Sequence, residues 1–342
     1  MKLLLIILLM LNLCSCQKSR EDLLAEKGFQ ENEIQEILGL SEENQERFLN
    51  GELEKNALKF ITAPWFKEEK LDEYLSYEEY LSNYEWLDTK KVIEMVNNET
   101  LNETYIKKLN EIYGSDYYIP KNENLYLSFM DAYPSIREMM EIVNTKRYKE
   151  LYSDITQTDL SKGYLMLINK YYQLPADYEP DDLVYVESYL GKGMLREAVY
   201  EAYKLLYADA KALGYNLQIV SAYRSYDYQK GLYQKYLNYD PREIVDTYSA
   251  RPGHSEHQSG LCMDVSIPGY SLDNFYLTEA SRWLAENCWK YGFIIRYPDD
   301  KTDITGYQGE PWQLRYVGKE TAEDVYKRGI TYDEYYACFV EE

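Results

Sequence analysis

The stretch that decides the fold is residues 252–267, which read Pro-Gly-His-Ser-Glu-His-Gln-Ser-Gly-Leu-Cys-Met-Asp-Val-Ser-Ile. From residue 261 onwards its apolar and polar side chains alternate, apart from Cys262, which shares the polar side. This alternation is typical of a strand whose two faces meet different surroundings. The only two histidines of the chain, His254 and His257, precede this strand. We therefore expect a strand that presents Asp264 close to a turn bearing both imidazoles.

His257 and Asp264 are candidate metal ligands. An imidazole nitrogen and a carboxylate oxygen from neighbouring backbone segments are two of the ligand types that zinc accepts. On its own, a histidine seven residues before an aspartate is weak evidence. A surface histidine that lies near an aspartate by chance is the commoner arrangement.

The elements around this strand predict an α+β domain. Residues 194–213 have the pattern of a long helix that stops at Gly214, and residues 217–221 alternate like a strand. Residues 283–291 read as a helix stopped by Gly292, and residues 312–317 as a short strand. Helices and antiparallel strands in this order favour a small mixed or antiparallel sheet covered by helices.

The preceding region, residues 17–158, is predicted to be polar and mostly helical, with helical spacing over residues 21–38, 72–84 and 89–96. It shows no catalytic cluster, no basic patch and no internal repeat. The composition changes near Asp159, where we place the start of the C-terminal domain, residues 159–342. The role of the helical region is not indicated by its sequence.

The N-terminus predicts export. Lys2 is followed by the apolar run 3–11 and then by Leu13-Cys14-Ser15-Cys16, which is the layout of a secretory signal. Its end resembles a bacterial lipobox, so residues 1–15 would be a signal peptide and Cys16 the lipidated first residue. The alternative is an ordinary signal peptide with incidental cysteines. We expect an extracytoplasmic lipoprotein, anchored to the membrane at the bacterial cell envelope.

The net charge of the chain limits the classes of partner that we expect it to bind. The chain has 37 basic and 59 acidic residues and a net charge of −22. Binding to nucleic acid needs clustered lysine and arginine, so we expect no nucleic-acid partner. The three cysteines after residue 16 are an odd number, which does not indicate a disulfide framework.

The pattern Ser255-x-His257-x-x-Gly260-x-Cys262-x-Asp264 resembles the S-x-H-x-x-G-x-A-x-D signature of the D-alanyl-D-alanine carboxypeptidase family, the VanY-like branch of the zinc LAS peptidases. Three further stretches resemble other blocks of that family in the same order: residues 221–229, 289–298 and 310–318. The resemblance covers about half of the chain, from roughly Asp159 to the end. It implies a LAS peptidase-like fold and a Zn²⁺ cofactor.

The resemblance implies that His257 and Asp264 are the first two zinc ligands. At the position of the third, where the family has histidine, this chain has Gln313, which offers only a neutral amide oxygen and suits zinc less well. The spare imidazole, His254, is not a ligand in the family. Cys262 replaces a small alanine; a thiolate there would bind zinc, although a small buried residue is the favoured interpretation.

The implied reaction is hydrolysis of the terminal D-alanine of peptidoglycan stem peptides. Glu310 matches the catalytic base and Arg224 the group that steadies the developing oxyanion. Gln229 and Ser255 match the groups that hold the terminal carboxylate of the substrate. Two hypotheses follow. The chain is a metallopeptidase, weakened by the missing histidine, or it is an inactive pseudoenzyme that binds stem peptides or regulates cell-wall enzymes.

Overall fold

The computed structural model describes residues 18–341. The predicted signal peptide and Cys16 lie outside the described residues. The chain forms two compact units that meet between Gly114 and Ser115, whereas the sequence placed a domain boundary near Asp159. Among the described residues, no helix is both long enough and apolar enough to cross a membrane.

The first unit is helical, as predicted. Its helices are α1 (Arg20–Glu26), α2 (Glu31–Leu38), α3 (Glu42–Asn50), α4 (Leu58–Ile61), α5 (Leu71–Ser76), α6 (Glu78–Asn83), α7 (Thr89–Asn97) and α8 (Glu103–Tyr113). The stretch 21–38 is two helices rather than one, because Gly28 takes a left-handed φ of 88° between them. Side chains of Ser19, Asp88 and Asn102 cap helix N-termini by accepting backbone N–H bonds.

The second unit has helices on a small antiparallel sheet. Its helices are α9 (Glu123–Phe129), α10 (Ile136–Asn144), α11 (Glu197–Ala212), α12 (Tyr226–Tyr236), α13 (Arg242–Tyr248), α14 (Leu272–Phe275), α15 (Glu279–Asn287), α16 (Thr302–Thr305), α17 (Lys319–Arg328) and α18 (Tyr332–Phe339). Its strands are β1 (Thr156–Gln157), β2 (Tyr172–Gln173), β3 (Leu183–Tyr185), β4 (Met194–Arg196), β5 (Gln218–Ser221), β6 (Cys262–Ser266), β7 (Phe293–Tyr297) and β8 (Glu310–Tyr316).

Four of these strands form the sheet that carries the motif, in the order β5-β6-β8-β7 with all neighbours antiparallel. The predicted strand of residues 261–267 is β6, at the centre. On one face, Met263, Val265 and Leu314 are fully buried against α11 and the rest of the main core. The other face points Asp264 towards Gln313 on β8 and Ser221 on β5. The predicted α+β class is confirmed.

Two element boundaries differ from the sequence pattern. The helix expected from residue 194 begins at Glu197, because Met194–Arg196 pairs as β4 with β3. The helix expected over residues 283–291 is α15, which starts earlier and gives way to a 3-10 turn, Cys288–Tyr291. Gly292 ends that turn with a φ of 90°, as its position in the sequence predicted.

Residues 115–158 belong to the second unit. The guanidinium of Arg137 on α10 pairs with Glu334 on α18, with Nη2 and Oε1 3.3 Å apart. Further on, the hydroxyl oxygens of Tyr152 and Tyr307 lie 3.3 Å apart. The segment that the sequence assigned to a separate helical region therefore packs on the predicted C-terminal domain.

Candidate active site

A polar cavity of about 360 Å³ opens where β5 ends, α12 begins and the turn before β6 passes. The sheet positions one side of it through β6 and β8, and the loops supply the other. The cavity is lined by every predicted site residue among those described: Arg224, Gln229, Ser255, His257, Asp264, Glu310 and Gln313.

The imidazole of His257 is oriented for a ligand. Its Nδ1 lies 2.7 Å from the carbonyl oxygen of Ala222. Because a carbonyl only accepts, Nδ1 carries a proton and donates it to this bond, and Nε2 is the ring nitrogen left to bind a metal. Nε2 faces Oδ2 of Asp264 at 3.4 Å, a long distance for a hydrogen bond. Neither Nε2 nor the other carboxylate oxygen, Oδ1, has a hydrogen-bond partner, although both are buried. Buried polar atoms without partners are rare and call for an explanation.

A zinc ion fits these two side chains. Two ligand atoms at 2.0–2.1 Å from a tetrahedral zinc are about 3.3 Å apart, close to the 3.4 Å between Nε2 of His257 and Oδ2 of Asp264. Burial acts to raise the pKa of Asp264, but His257 and Arg224 together hold that pKa below its ordinary value. The carboxylate is therefore ionised and ready to bind a cation.

Gln313 occupies the position of the third zinc ligand. It lies on β8 directly opposite Asp264 and lines the same cavity. Within residues 18–341, no group of three His, Cys, Asp or Glu side chains could hold a metal ion. The donor set is thus one imidazole, one carboxylate and one neutral amide oxygen.

Neither His254 nor Cys262 takes the place of the missing histidine. The Nδ1 atom of His254 lies 2.7 Å from the carbonyl of Asn169, and its ring meets the ring of Tyr152 edge-on, outside the cavity. Cys262 is fully buried. That burial raises the pKa of its thiol well above the ordinary value, and the nearby Glu256 and Asp264 add to the effect. Cys262 is therefore a small buried residue, which is the interpretation that the sequence favoured over a zinc ligand.

Glu310 and Arg224 face the same space. Glu310 is the first residue of β8, and burial, followed by the charge of Asp264, raises its pKa to about 8. The guanidinium of Arg224 opposes this rise. The backbone N–H of Arg224 donates to the carbonyl of His257 at 3.1 Å, which joins the two motifs. Its side-chain Nε is buried without a partner, so the guanidinium has a free donor in the cavity.

The pKa of Glu310 leads to a prediction for stability. Without a cation, the folded protein keeps the Glu310 proton up to about pH 8, whereas the unfolded chain releases it near pH 4.5. The folded state binds more protons, so the wild type loses stability as pH rises between these values. Glu310→Gln stays neutral and lacks this loss. We expect its melting temperature in EDTA to gain about 5–10 °C on that of the wild type between pH 5 and pH 8, because each kcal/mol of linked stability moves the melting temperature by about 2–4 °C. A difference that does not vary with pH would contradict the shift.

The two predicted carboxylate-binding residues are placed differently. Ser255 precedes the turn that holds His257 and lines the cavity. Gln229, on α12, donates its Nε2–H to the carbonyl of Ala250 at 2.9 Å and leaves its buried Oε1 without a partner. In this orientation Gln229 offers an acceptor to the cavity rather than a donor. Its role towards a substrate carboxylate stays a prediction and requires the amide to turn over.

The contacts that hold the motif in place were not predicted from the sequence. Glu256, between Ser255 and His257, is buried and accepts charged hydrogen bonds from Arg296 at 2.8 Å and Arg315 at 2.7 Å. Arg296 also binds Asp333 on α18 at 2.6 Å. These four residues, which we call the buried ion cluster, fix the turn that carries the cavity residues. The acidic residue inside the motif was the available signal.

Aromatic residues complete the cavity wall. Trp312 lines it, and Tyr316 packs edge-on against the core residue Phe293. The sequence did not single out the other aromatic residues of the wall: Tyr236, Tyr248, Tyr297 and Tyr307. With 39 tyrosines in the chain, no one of them stands out before the fold is known.

Comparison with known proteins agrees with this geometry. Residues 192–319 match the family model described as VanY, D-alanyl-D-alanine carboxypeptidase. The chain is 42% identical over 184 residues to a putative carboxypeptidase, YodJ, of Bacillus subtilis (strain 168), covering 51% of this chain and 67% of that protein. It is 35% identical over 199 residues to a D-alanyl-D-alanine carboxypeptidase of Enterococcus faecium, covering 55% of this chain and 62% of that one.

A solved structure is also similar. The LdcB LD-carboxypeptidase, described in connection with peptidoglycan recognition, is 39% identical with a TM-score of 0.50, and the match covers 55% of this chain and 92% of LdcB. The residues that match the family model, 192–319, contain the cavity, the central strand β6 and all the residues predicted to line the cavity. By sequence, fold and site, the chain belongs to the VanY D-alanyl-D-alanine carboxypeptidase family.

Proposed function

We propose that this protein is a zinc-dependent carboxypeptidase that removes the terminal D-alanine from peptidoglycan stem peptides. One observation carries the proposal: the buried Nε2 of His257 and Oδ1 of Asp264 have no partners and flank a cavity that Glu310 and Arg224 also face. Two metal donors, a carboxyl group with a raised pKa and a free guanidinium donor form the set that metal-assisted peptide hydrolysis requires.

His257 and Asp264, with Gln313 as a weaker third donor, would hold the metal. Zinc at this position supplies a Lewis acid for the peptide carbonyl and for water. The ionised Glu310 removes a proton from the attacking water. Its carboxylic acid then returns that proton to the nitrogen of the leaving D-alanine as the C–N bond breaks. Arg224 donates hydrogen bonds to the carbonyl oxygen as negative charge develops on it.

The cavity limits the substrate to a small C-terminal group. A volume of about 360 Å³ lies at the lower end of small-molecule sites. It suits the end of a short peptide, with the remaining peptide outside. Ser255 lines the cavity and would donate its hydroxyl hydrogen to the terminal carboxylate, and Gln229 would add a donor once its amide turns. Relatives include both D-alanyl-D-alanine and LD-carboxypeptidases, so tetrapeptides and pentapeptides are both candidate substrates.

The test is zinc content together with D-alanine release from a stem pentapeptide and a stem tetrapeptide. We expect zinc to bind below stoichiometry at micromolar concentration and D-alanine to be released slowly. Glu310→Gln should abolish release while leaving zinc content unchanged, because Glu310 is not among the donors. Release of D-alanine by Glu310→Gln at the wild-type rate would contradict the proposed base.

The second candidate function is a stem-peptide-binding pseudoenzyme that senses wall precursors or regulates wall enzymes. Gln313 is the observation that favours it, since an amide oxygen is a poor substitute for the third imidazole. If calorimetry detects binding of the pentapeptide but no D-alanine is released, even in excess zinc, the result would support this second function.

We also propose that Cys16 is acylated and tethers the protein to the outer face of the membrane. The support is the sequence of the N-terminal segment, an apolar run that ends in Leu-Cys-Ser-Cys. Cys16→Ala should move the protein from the membrane fraction to the soluble fraction of cells, with Cys14→Ala as the matched control that stays at the membrane. An unmodified mature N-terminus in mass spectrometry would refute the anchor.

A further inference from the structure

The chain contains a duplicated helical module that its sequence conceals. Residues 65–77 read Trp-Phe-Lys-Glu-Glu-Lys-Leu-Asp-Glu-Tyr-Leu-Ser-Tyr, and residues 117–129 read Tyr-Tyr-Ile-Pro-Lys-Asn-Glu-Asn-Leu-Tyr-Leu-Ser-Phe. Each stretch is a 3-10 turn followed by a short helix, and each leads to a nine-residue helix, α7 or α10. We call residues 65–100 the first copy and residues 117–147 the second copy. The expectation of no internal repeat was wrong.

The same hydrogen bonds hold both copies together. In the first, the Tyr74 hydroxyl donates to Oδ1 of Asn97, and Nδ2 of Asn97 donates to the carbonyl of Trp65 at 3.0 Å. In the second, the Tyr126 hydroxyl donates to Oδ1 of Asn144, whose Nδ2 donates to the carbonyl of Tyr117 at 2.8 Å. In both copies an asparagine, half-buried in the first and buried in the second, ties a helix end to two aromatic residues in the same geometry, which is a specific signature.

The backbone repeats as well. Asp88 and Ser135, each nine residues before its asparagine, cap α7 and α10. Two residues after the asparagine, Glu99 and Lys146 adopt left-handed φ angles of 58° and 63°, which are uncommon for residues with side chains. Equivalent residues can therefore be assigned between the copies one by one.

In the second copy, one face binds α18. Arg137 stacks on the ring of Tyr117, with its guanidinium carbon 3.7 Å from the centroid, and this pair meets Phe339 and Glu334 of the helix. Next to it, the ammonium groups of Lys121 and Lys146 lie 3.2 Å and 3.7 Å from carboxylate oxygens of Glu341. The face thus recognises an acidic residue, an aromatic residue five positions later and a second acidic residue two positions after that.

The first copy has the same face, and no helix of residues 18–341 covers its central side chains, Trp65 and Lys90. Lys90 lies over the ring of Trp65, 5.1 Å from the centroid, as Arg137 lies over Tyr117. Trp65 is 61% exposed, and Lys90 is exposed too. Among residues 18–341, no carboxylate pairs with Lys90 in the way that Glu334 pairs with Arg137. The equivalents of Lys121 and Lys146 are Glu69 and Glu99, which are exposed and carry the opposite charge.

We propose that the first copy docks a helix from a partner protein through this face, which we call the docking face: Trp65, Glu69, Lys90 and Glu99. The chemistry of the partner helix follows from the second copy. It carries an acidic residue for Lys90, an aromatic residue five positions later for Trp65, and a basic residue two positions after that for Glu69 and Glu99. The last pairing excludes α18 itself, whose Glu341 would face two carboxylates.

The test uses two fluorescein-labelled peptides, the sequence of residues 330–341 and the same peptide with Glu341→Lys, titrated against the full protein by fluorescence anisotropy. We expect the Glu341→Lys peptide to bind about tenfold more tightly, because two like-charge contacts become two attractive ones. Trp65→Ala should weaken binding of both peptides. Binding of neither peptide at about 1 mM protein would overturn the proposal.

Charge exchange makes the test specific. The double variant Glu69→Lys, Glu99→Lys should reverse the order, so that the unmodified peptide binds more tightly. A preference that this double variant leaves unchanged would show that binding occurs elsewhere. Both residues are exposed, so circular dichroism melts should show unchanged stability of the variant.

The equivalence of the two faces is tested in the second copy. Tyr117→Trp combined with Arg137→Lys installs the first-copy pair opposite α18 and should leave the melting temperature within a few degrees of the wild type. Tyr117→Ala should lower it further, because the aromatic contact with Phe339 and the stacking of Arg137 are lost. If the exchange were as damaging as the alanine variant, the two faces would not be equivalent and the proposed docking would lose its basis.

Discussion

Gln313→His should raise zinc affinity by at least about tenfold, since even indirect partners of zinc ligands change affinity by 10–100-fold. Gln313 lies on β8 directly opposite Asp264 and lines the cavity beside His257. A histidine there would give the site two imidazoles and one carboxylate, with a fourth position open for water, as in catalytic zinc sites. D-alanine release should rise with zinc occupancy, because a better-held metal acidifies water more effectively.

The measurement is a zinc titration with D-alanine release by wild type and Gln313→His side by side. Gln313→Asn serves as the matched control, because it keeps an amide but shortens its reach. Stoichiometric zinc and an equal rate in the wild type would show that Gln313 is a competent ligand. A gain in zinc binding without any gain in release would favour the binding function.

Removing residues 115–158 should abolish cooperative folding of the second unit, or lower its melting temperature by more than about 10 °C. This segment contributes fully buried side chains, among them Tyr126, Met139 and Met140. Each contributes about 1.5–3 kcal/mol by leaving water, against a total stability of about 5–15 kcal/mol. Its loss also leaves Glu334, which is only 2% exposed, without the Arg137 guanidinium.

The experiment compares calorimetric melts of fragments 115–342 and 159–342. The longer fragment should show one sharp transition, because it contains a whole compact unit. Equal melting temperatures for both fragments would instead support the boundary near Asp159 that composition suggested. Since Tyr152 of the removed segment meets Tyr307 in the cavity wall, D-alanine release by the shorter fragment should fall as well.

The central strand and the cavity residues were predictable because their signals are local. The alternation of apolar and polar residues over 261–267 indicates a strand without any knowledge of the rest of the fold. The four short motifs, in their order along the chain, indicate which side chains lie together in the cavity. The register that sets Asp264 opposite Gln313 follows from the pairing of β6 with β8, which the structure shows.

The missed features depend on contacts between distant parts of the chain. Residues 194–196 have a helical pattern, but pairing with β3 makes them a strand. Glu256 lies inside the motif, but its burial depends on two arginines from β7 and β8 that the local sequence does not indicate. The duplicated module was not predicted because its two copies share few identical residues. The copies repeat hydrogen bonds and backbone angles rather than amino-acid sequence.

The buried ion cluster has a consequence for biosynthesis. The turn that carries His257 is held by Arg296, and Arg296 in turn binds Asp333, which follows it by 37 residues. During translation, the ribosome still holds Asp333 when the rest of the motif has emerged. A nascent chain therefore cannot complete the cluster until α18 has begun to emerge, and a nonsense codon before Asp333 would leave Arg296 without one of its two carboxylate partners.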